Sequence, residues 1–157
     1  MRRRIYVDKT DQFPAPTQKV RTERREVGSR RGLQIVTAIL AVIPVVTGLI
    51  GLSGIRDPLY AISGVSENVL LDSNLRFYSG VWLGLGLALF WLIPRIEKQI
   101  VPFRFIWGAI FLGGIGRCLS MLFLAVPPTP FIGFTILEVI GAPLFIVWQR
   151  QVARAAR

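Results

Sequence analysis

The chain contains no histidine and one cysteine, and only 9 of its 157 residues are Asp or Glu. Without histidine there can be no histidine-ligated haem, no histidine-containing zinc site and no histidine-based catalytic triad. A single cysteine can neither close an internal disulfide nor hold an iron–sulfur cluster. We therefore expect no cofactor, no metal and no catalytic residue, and an enzyme is the least favoured class of function.

Apolar side chains make up 52% of the chain, whereas charged residues make up only 18%, against about 25% in a typical soluble domain. Basic residues outnumber acidic ones by 19 to 9, which gives a formal net charge of +10. The length is that of a single domain. This composition is typical of a small integral membrane protein.

The charge divides the chain into two parts. Residues 1–32 hold 10 Lys and Arg but only 4 Asp and Glu, and they have few apolar side chains. We expect this segment to be a disordered cytoplasmic tail, because it cannot bury enough surface to offset its ordering entropy. Its basic groups would attract anionic lipids of the bilayer, at about 1 kcal/mol each near the surface. Docking to other membrane subunits is the alternative, and nucleic acid is not an expected partner.

Residues 33–157 form the predicted membrane domain, since they contain apolar runs that reach the roughly 20 residues a helix needs to cross a bilayer. The predicted spans are residues 33–54, 74–94, 102–126 and 131–149. Asp72 or Ser73 is a suitable cap for the second helix, and Pro102 suits the first turn of the third. The prolines within residues 127–130 predict a tight turn, so the last two helices are antiparallel neighbours. The predicted fold is an all-α bundle of four transmembrane helices.

Basic residues flank the spans unevenly. They are abundant in the tail, in the loop after residue 94 and at the C-terminus, whereas the loop over residues 55–73 has only Arg56 and the proline turn has none. Because basic residues are retained on the cytoplasmic side, both termini are predicted to be cytoplasmic. The expected location is the bacterial cytoplasmic (inner) membrane.

Three ionisable residues fall inside the predicted spans: Arg76, Arg117 and Glu138. Each costs about 2.5–3.5 kcal/mol on insertion scales, so each is a candidate for function. Arg117 and Glu138 lie at matching depths, about 13 Å and 12 Å from the ends of their helices. We predict an Arg117–Glu138 salt bridge or shared polar cluster, which Arg76 could join. Arg76 lies about one turn inside its helix, so it is more simply explained as reaching the head groups or meeting Asp72. Possible contributors at the same end are Asp72, Asn74 and Tyr78.

This predicted polar cluster has two interpretations. A buried ion pair can fix the rotation and register of two helices, or it can form a substrate or ion site. The neighbouring aromatics Phe77, Tyr78 and Trp82 also have two interpretations. They suit either an interfacial belt or a pocket for a pigment, quinone or lipid.

Glycines recur in the second and third spans, where small residues let membrane helices approach closely. Gly80 and Gly84 form a GxxxG pair, and Gly113 and Gly116 lie in the third span. We predict that these four residues pack helices together.

Several of these segments resemble a bacterial membrane family known as domain of unknown function 4345. The resemblance rests on NLRFYSGVWLG at residues 74–84, GGIGRCLS at residues 113–120, Glu138, and WQR at residues 148–150. It covers about Leu33 to Arg154 and implies one four-helix membrane domain, with no established activity, substrate or cofactor. The basic tail departs from the family pattern, so its role lies outside the resemblance.

Three functions are compatible with these observations. A non-catalytic accessory subunit of a larger membrane assembly is favoured, because glycine packing and a basic tail suit assembly. A small carrier or channel would use Arg76, Arg117 and Glu138. A membrane enzyme or redox partner for a lipid-soluble substrate is weakest, because a carboxylate held ionised by an arginine is a poor proton donor.

Overall fold

The computed structural model describes residues 16–58, 64 and 66–156. Within them lie the helices α1 (Pro16–Gly51), α2 (Val69–Leu92), α3 (Ile100–Phe123), α4 (Thr129–Ile136) and α5 (Ala142–Ala155). Short 3-10 helices follow α1 at Gly54–Arg56 and α2 at Ile93–Arg95, and a π-helical turn, Leu137–Gly141, joins α4 to α5. The described residues contain no strand.

Four helical segments are long and apolar enough to cross a membrane: Ser29–Gly51, Val69–Arg95, Ile100–Phe123 and Thr129–Ala155. The predicted all-α, four-span bundle is confirmed, and the chain is a multi-pass integral membrane protein. The observed spans overlap all four predicted ones, and the largest shifts are at the beginning of α2 and the end of α5.

The beginning of α2 differs from the prediction. The helix begins at Val69, and the Asn68 side chain accepts a hydrogen bond from the Leu71 amide at 3.1 Å. Asp72 and Ser73 are therefore not the cap. Asn caps a helix as well as Asp or Ser does, and beginning at Val69 adds one apolar turn to the span. Asp72 becomes available for contacts with other segments.

Helix α1 extends well before the predicted span, back to Pro16. The composition of residues 1–32 predicts disorder, but residues 16–32 are helical in the structure. Residues 1–15 lie outside the described part. Nucleation is the costly step in helix formation, and the apolar span supplies the nucleus. Extension through a stretch rich in Gln, Lys, Arg and Glu then adds residues of good helix propensity.

The helices pair as two hairpins, because α1 packs most extensively on α2, and α3 packs on α4, the π turn and α5. Glycines permit these close approaches. A Cβ at Gly48 would lie 2.8 Å from the backbone nitrogen of Leu83, and one at Gly86 would lie 3.0 Å from that of Val45. Between α3 and the π turn, Gly114 has the same role.

The four glycines predicted to pack helices are not the ones that make close contacts within one copy of the chain. A Cβ at Gly84, Gly113 or Gly116 would meet no atom of the described residues within 4 Å, and one at Gly80 would meet only a Leu52 methyl at 3.9 Å. A GxxxG spacing places two glycines on one face, but it does not say which face meets a neighbour. Within one copy of the chain the close contacts are therefore made by other glycines, and packing of these four between copies stays a prediction.

One end of the bundle holds most of the buried core, and we call it the packed half. It is formed by α1 before Pro44, the end of α2, the beginning of α3, and α5. Its fully buried side chains include Leu33, Leu92, Ile96, Phe103 and Trp107, with Ala41 and Ala142 at the contacts between helices. The aromatic rings of Trp107 and Phe145 stack at 4.5 Å between centroids.

Polar side chains in the packed half fasten the turn between α2 and α3. Three of them donate to its carbonyls: Gln34 to Ile93 at 2.8 Å, Arg30 to Pro94 at 3.2 Å, and Gln149 to Ile96 at 3.1 Å. Arg30 also forms a salt bridge with Glu97 at 3.0 Å. These bonds connect both hairpins to one turn, so the two pairs of helices are held together at this end.

Candidate functional site

At the other end, which we call the cavity half, the two hairpins border a half-open cavity of about 610 Å³. Aliphatic side chains of α1 and α2 form part of its wall. The aromatic residues on the wall are Tyr78, Trp82, Phe131 and Phe134, together with Trp107 at the boundary with the packed half. Its charged residues are Asp57, Arg117 and Glu138. A mostly apolar space with a few polar groups is the usual composition of a small-molecule site.

Arg117 and Glu138 form the predicted contact across the second hairpin. Arg117 Nε donates to Glu138 Oε2 at 2.9 Å. The glutamate side chain is 7% exposed and the arginine side chain 37% exposed. The pair is therefore asymmetric, with the carboxylate buried behind a guanidinium that remains accessible.

The π turn places Glu138 at this position. It is marked by a hydrogen bond from the Ala142 amide to the Leu137 carbonyl, five residues back. The next residue is Pro143, which has no amide hydrogen and whose ring disfavours a regular α-helical turn just before it. Such π turns occur frequently at functional sites. Pro143 inside an apolar run is the sequence signal that could have indicated an irregular turn here.

Close packing at Gly114 supports the same site. A Cβ at Gly114 would lie 2.7 Å from Glu138 Cβ and 3.2 Å from the Val139 nitrogen. Any larger residue would separate α3 from the π turn. The absence of a side chain at Gly114 therefore allows Arg117, three residues later on α3, to reach Glu138.

The Arg117 guanidinium also contacts an aromatic ring. Its central carbon lies 5.7 Å from the centroid of Phe131, within the range of a cation–π interaction. Among the described residues, Glu138 is the one hydrogen-bond acceptor that the guanidinium reaches. Its Nη1 and Nη2 hydrogens are therefore donors available to a molecule in the cavity.

Arg76 belongs to a different cluster. All three of its guanidinium nitrogens are used, since Nε and Nη2 bind the Asp72 carboxylate and Nη1 and Nη2 bind the carbonyls of Leu52 and Ser53. Asp72 also accepts from the Ile55 amide at 3.0 Å. Arg76 and Asp72 thus fasten the end of α1 to α2. The structure does not bring Arg76 to the Arg117–Glu138 pair.

Gly54, in the turn that Arg76 and Asp72 bind, has a positive φ of +67°. A Cβ there would collide with the Asp72 carboxylate. Glycine therefore serves both the turn and the close approach of the carboxylate.

The aromatic candidates on α2 divide between two environments. Tyr78 and Trp82 line the cavity and Phe77 does not, although Phe77 packs edge-to-face on Tyr78 at 5.6 Å and both rings are largely exposed. The Trp82 indole donates to Thr47 Oγ1 at 2.9 Å, and that hydroxyl donates to the Ile43 carbonyl at 2.7 Å. Asn74 is exposed and is not on the cavity wall.

Three wall residues were missed by sequence reasoning. Asp57 is buried, although it looked like an ordinary loop residue, and Thr47 is the acceptor for Trp82. Trp107 lies near the beginning of the third span, where a tryptophan is expected to be an interfacial anchor, but it is 2% exposed. Its indole N–H has no acceptor among the described residues. A tryptophan in the middle of an apolar helix carries no local signal that distinguishes these two environments.

The arrangement is suited to binding. In the described part of the chain, no three His, Cys, Asp or Glu side chains lie close enough to share a metal ion. What the cavity provides is a long apolar wall, aromatic faces, and hydrogen-bond donors on Arg117.

Comparison with known proteins agrees with the resemblance seen in the sequence. The model of one family, described as domain of unknown function (DUF4345), matches residues 32–149. The searches of curated proteins and of solved structures gave no match. The matched region includes the cavity wall, the Arg117–Glu138 pair and the Arg76–Asp72 pair, and the chain belongs to the DUF4345 family.

Proposed function

We propose that the protein binds a membrane-soluble amphiphile in the cavity between its two hairpins. The observation that carries the proposal is the position of an accessible guanidinium, Arg117, on the wall of an apolar space of about 610 Å³. Pockets of roughly 300–1,000 Å³ with a few polar groups are typical of small-molecule sites. Elsewhere the same chain packs closely, since Leu33, Leu92 and Phe103 are at most 1% exposed, so the space is not a general looseness of the bundle.

The alternative interpretation of the ion pair, that it fixes the register of two helices, explains less. A register pair needs no cavity of this size beside it, whereas a small-molecule site does. The accessible side of Arg117, with donors left unused, supports a role in binding.

The test uses two glycines on the same helix. A leucine at Gly113 would enter the cavity, whereas one at Gly116 would not, and an added Cβ meets no described atom within 4 Å at either position. Full-length protein in nanodiscs is titrated with lipids that carry bromine on an acyl chain, and quenching of tryptophan fluorescence reports binding near Trp82 and Trp107. We expect Gly113→Leu to abolish saturable quenching and Gly116→Leu to retain it.

Equal quenching in both variants would mean that the probes act from the surrounding bilayer, and the proposal would fail. An unfolded Gly113→Leu protein is recognised by its helix content, and Gly113→Val then replaces it. Saturable quenching that Gly113→Leu and Gly113→Val leave intact would also overturn the proposal.

A role as an accessory subunit is a second proposal, and helix α1 supports it. Its 36 residues measure about 54 Å, against about 30 Å of hydrocarbon. The helix therefore projects beyond the bilayer through the basic segment, where it can contact anionic lipids or another membrane subunit. Purification in mild detergent from the native membrane, with and without residues 1–28, tests this; a partner retained only by the full chain is expected.

We also propose that both termini lie on the cytoplasmic side of a bacterial inner membrane. Four spans place the two ends on one side, and the basic residues flanking the spans favour the cytoplasm. Reporter fusions at each terminus should both be active in the cytoplasm. Activity of either fusion on the opposite side would contradict the proposed orientation.

A further inference from the structure

The charges on the cavity wall restrict the head group of a ligand. The wall carries the Arg117–Glu138 pair, whose two charges cancel, and the buried carboxylate of Asp57, which has contacts of its own. An anionic head group would have to compete with Glu138 for Arg117. A cationic head group would meet the accessible guanidinium first, because both carboxylates are buried. An uncharged head group avoids both penalties.

The available hydrogen-bonding groups point to an acceptor on that head group. The Trp82 indole is already bonded to Thr47, and the Trp107 indole nitrogen is buried, which leaves the donors of Arg117. Bonds from a charged donor are the stronger ones, so Arg117 is a good partner for an oxygen. A carbonyl oxygen has the required chemistry.

The depth of the cavity restricts the rest of the ligand. Depth can be counted from the turn between α2 and α3, with Arg95 on the α2 side and Ile100 on the α3 side. On α3, Trp107 lies seven residues beyond Ile100 and Arg117 lies seventeen residues beyond it. On α2, Trp82 lies thirteen residues before Arg95. These positions correspond to depths of about 10 Å for Trp107, about 20 Å for Trp82 and about 25 Å for Arg117. The cavity is therefore elongated, with Arg117 near one end and Trp107 near the other. Its volume accommodates on the order of twenty water-sized groups, which suits one chain and not two.

From these three observations we infer that the ligand is a single-chain lipid with an uncharged, carbonyl-bearing head group. Its head lies at Arg117, and its chain runs past Trp82 toward Trp107. The inference rests on the proposed function and deepens it by naming the class of the ligand and its orientation.

The head group is tested with three probes of equal chain length that carry bromine on the chain and end in an amide, a carboxylate or a trimethylammonium group. The protein is full length in nanodiscs, with Trp91→Phe and Trp148→Phe so that emission comes from the two cavity tryptophans. Quenching in the Gly113→Leu variant is subtracted, since it measures partitioning into the bilayer. We expect half-saturation by the amide at an about tenfold lower concentration than by either charged probe, which corresponds to ~1.4 kcal/mol. Equal or tighter binding of a charged probe would overturn the inference.

Orientation is tested with bromine placed at the end of the chain or beside the head. The two single-tryptophan proteins add Trp82→Phe or Trp107→Phe to the same background. Terminal bromine should quench the protein that retains Trp107 more strongly than the one that retains Trp82, and bromine beside the head should reverse the order. If Trp107→Phe does not fold, the Trp82→Phe protein is compared with its two-tryptophan parent.

The outcomes distinguish failure of the proposed binding function from failure of the inferred ligand class or orientation. Saturable quenching with the opposite order would overturn the orientation and leave the binding function intact. Saturable quenching that favours the carboxylate would overturn the head-group class alone. The proposed function itself fails if no probe quenches saturably above the Gly113→Leu baseline.

Discussion

The two ends of the same four helices are built differently. In the packed half, large side chains such as Phe103 and Leu92 are at most 1% exposed, and polar side chains are bonded to the turn between α2 and α3. In the cavity half, the hairpins separate around about 610 Å³, and an arginine keeps donors unused. One end thus holds the hairpins together, and the other is free to accommodate a second molecule.

This difference also separates the polar groups by role. The Arg76–Asp72 pair fastens α1 to α2, and the Arg30–Glu97 pair fastens α1 to the turn after α2, so both pairs are structural. The Arg117–Glu138 pair lies on the cavity wall. A charged residue in a membrane span is therefore a candidate for function only after its own bonds have been traced.

The largest expected effect compares one phenylalanine from each half. Phe103 is fully buried in the packed half, whereas Phe134 is half-buried on the cavity wall. Phe103→Ala should lower the free energy of unfolding by about 2–3 kcal/mol, because the packing of a buried ring is lost. In a bilayer the transfer of the side chain from water contributes little to this value. Phe134→Ala should cost less than about 1 kcal/mol, because it only enlarges an existing space.

Titration of sodium dodecyl sulfate into mixed micelles, followed by circular dichroism, measures both variants. The distinction between the halves would be lost if the two alanine variants were equally destabilised.

A second comparison uses neighbouring glycines on α3. Gly114→Ala places a Cβ against Glu138 and Val139, and overpacking of this kind should cost about 1–3 kcal/mol. Gly113→Ala meets open space, so the better helix propensity of alanine should leave stability unchanged or raise it by about 0.5–1 kcal/mol. The same detergent titration measures the pair. Equal destabilisation by the two substitutions would show that α3 does not contact the π turn as described.

Much of this architecture can be predicted from the sequence, because span length and hydropathy are set by the bilayer and not by tertiary contacts. Matching depth along two antiparallel helices was enough to predict that Arg117 meets Glu138. The membership of the family was also visible in the residues around Arg76 and Arg117.

Other features depend on the rotation of each helix about its axis, which spacing alone leaves open. The glycines at the contacts, Gly48, Gly86 and Gly114, differ from the four predicted for this reason. Arg76 lies away from the second hairpin because the carbonyls at the end of α1 are nearer partners. The cavity, the burial of Asp57 and the π turn at Glu138 are results of packing between hairpins, for which the sequence carries no periodic signal.

The smallest effect concerns the ion pair itself. Glu138→Ala leaves the Arg117 guanidinium without its partner. It should cost about 1 kcal/mol, within the range of about 0.6–1.7 kcal/mol for polar contacts between membrane helices, because Arg117 lies in the last two turns of α3 and can reach toward the interface. Replacing both residues by leucine removes the two charges together and should cost less than the single change. A cycle of Glu138→Leu, Arg117→Leu and the double variant, unfolded in mixed micelles, should therefore give a coupling of about 1 kcal/mol. Additive effects of the two substitutions would contradict the Arg117–Glu138 contact. If the coupling is found but the variants bind lipid as the unaltered protein does, the pair is structural, like the pairs of Arg30 and Arg76.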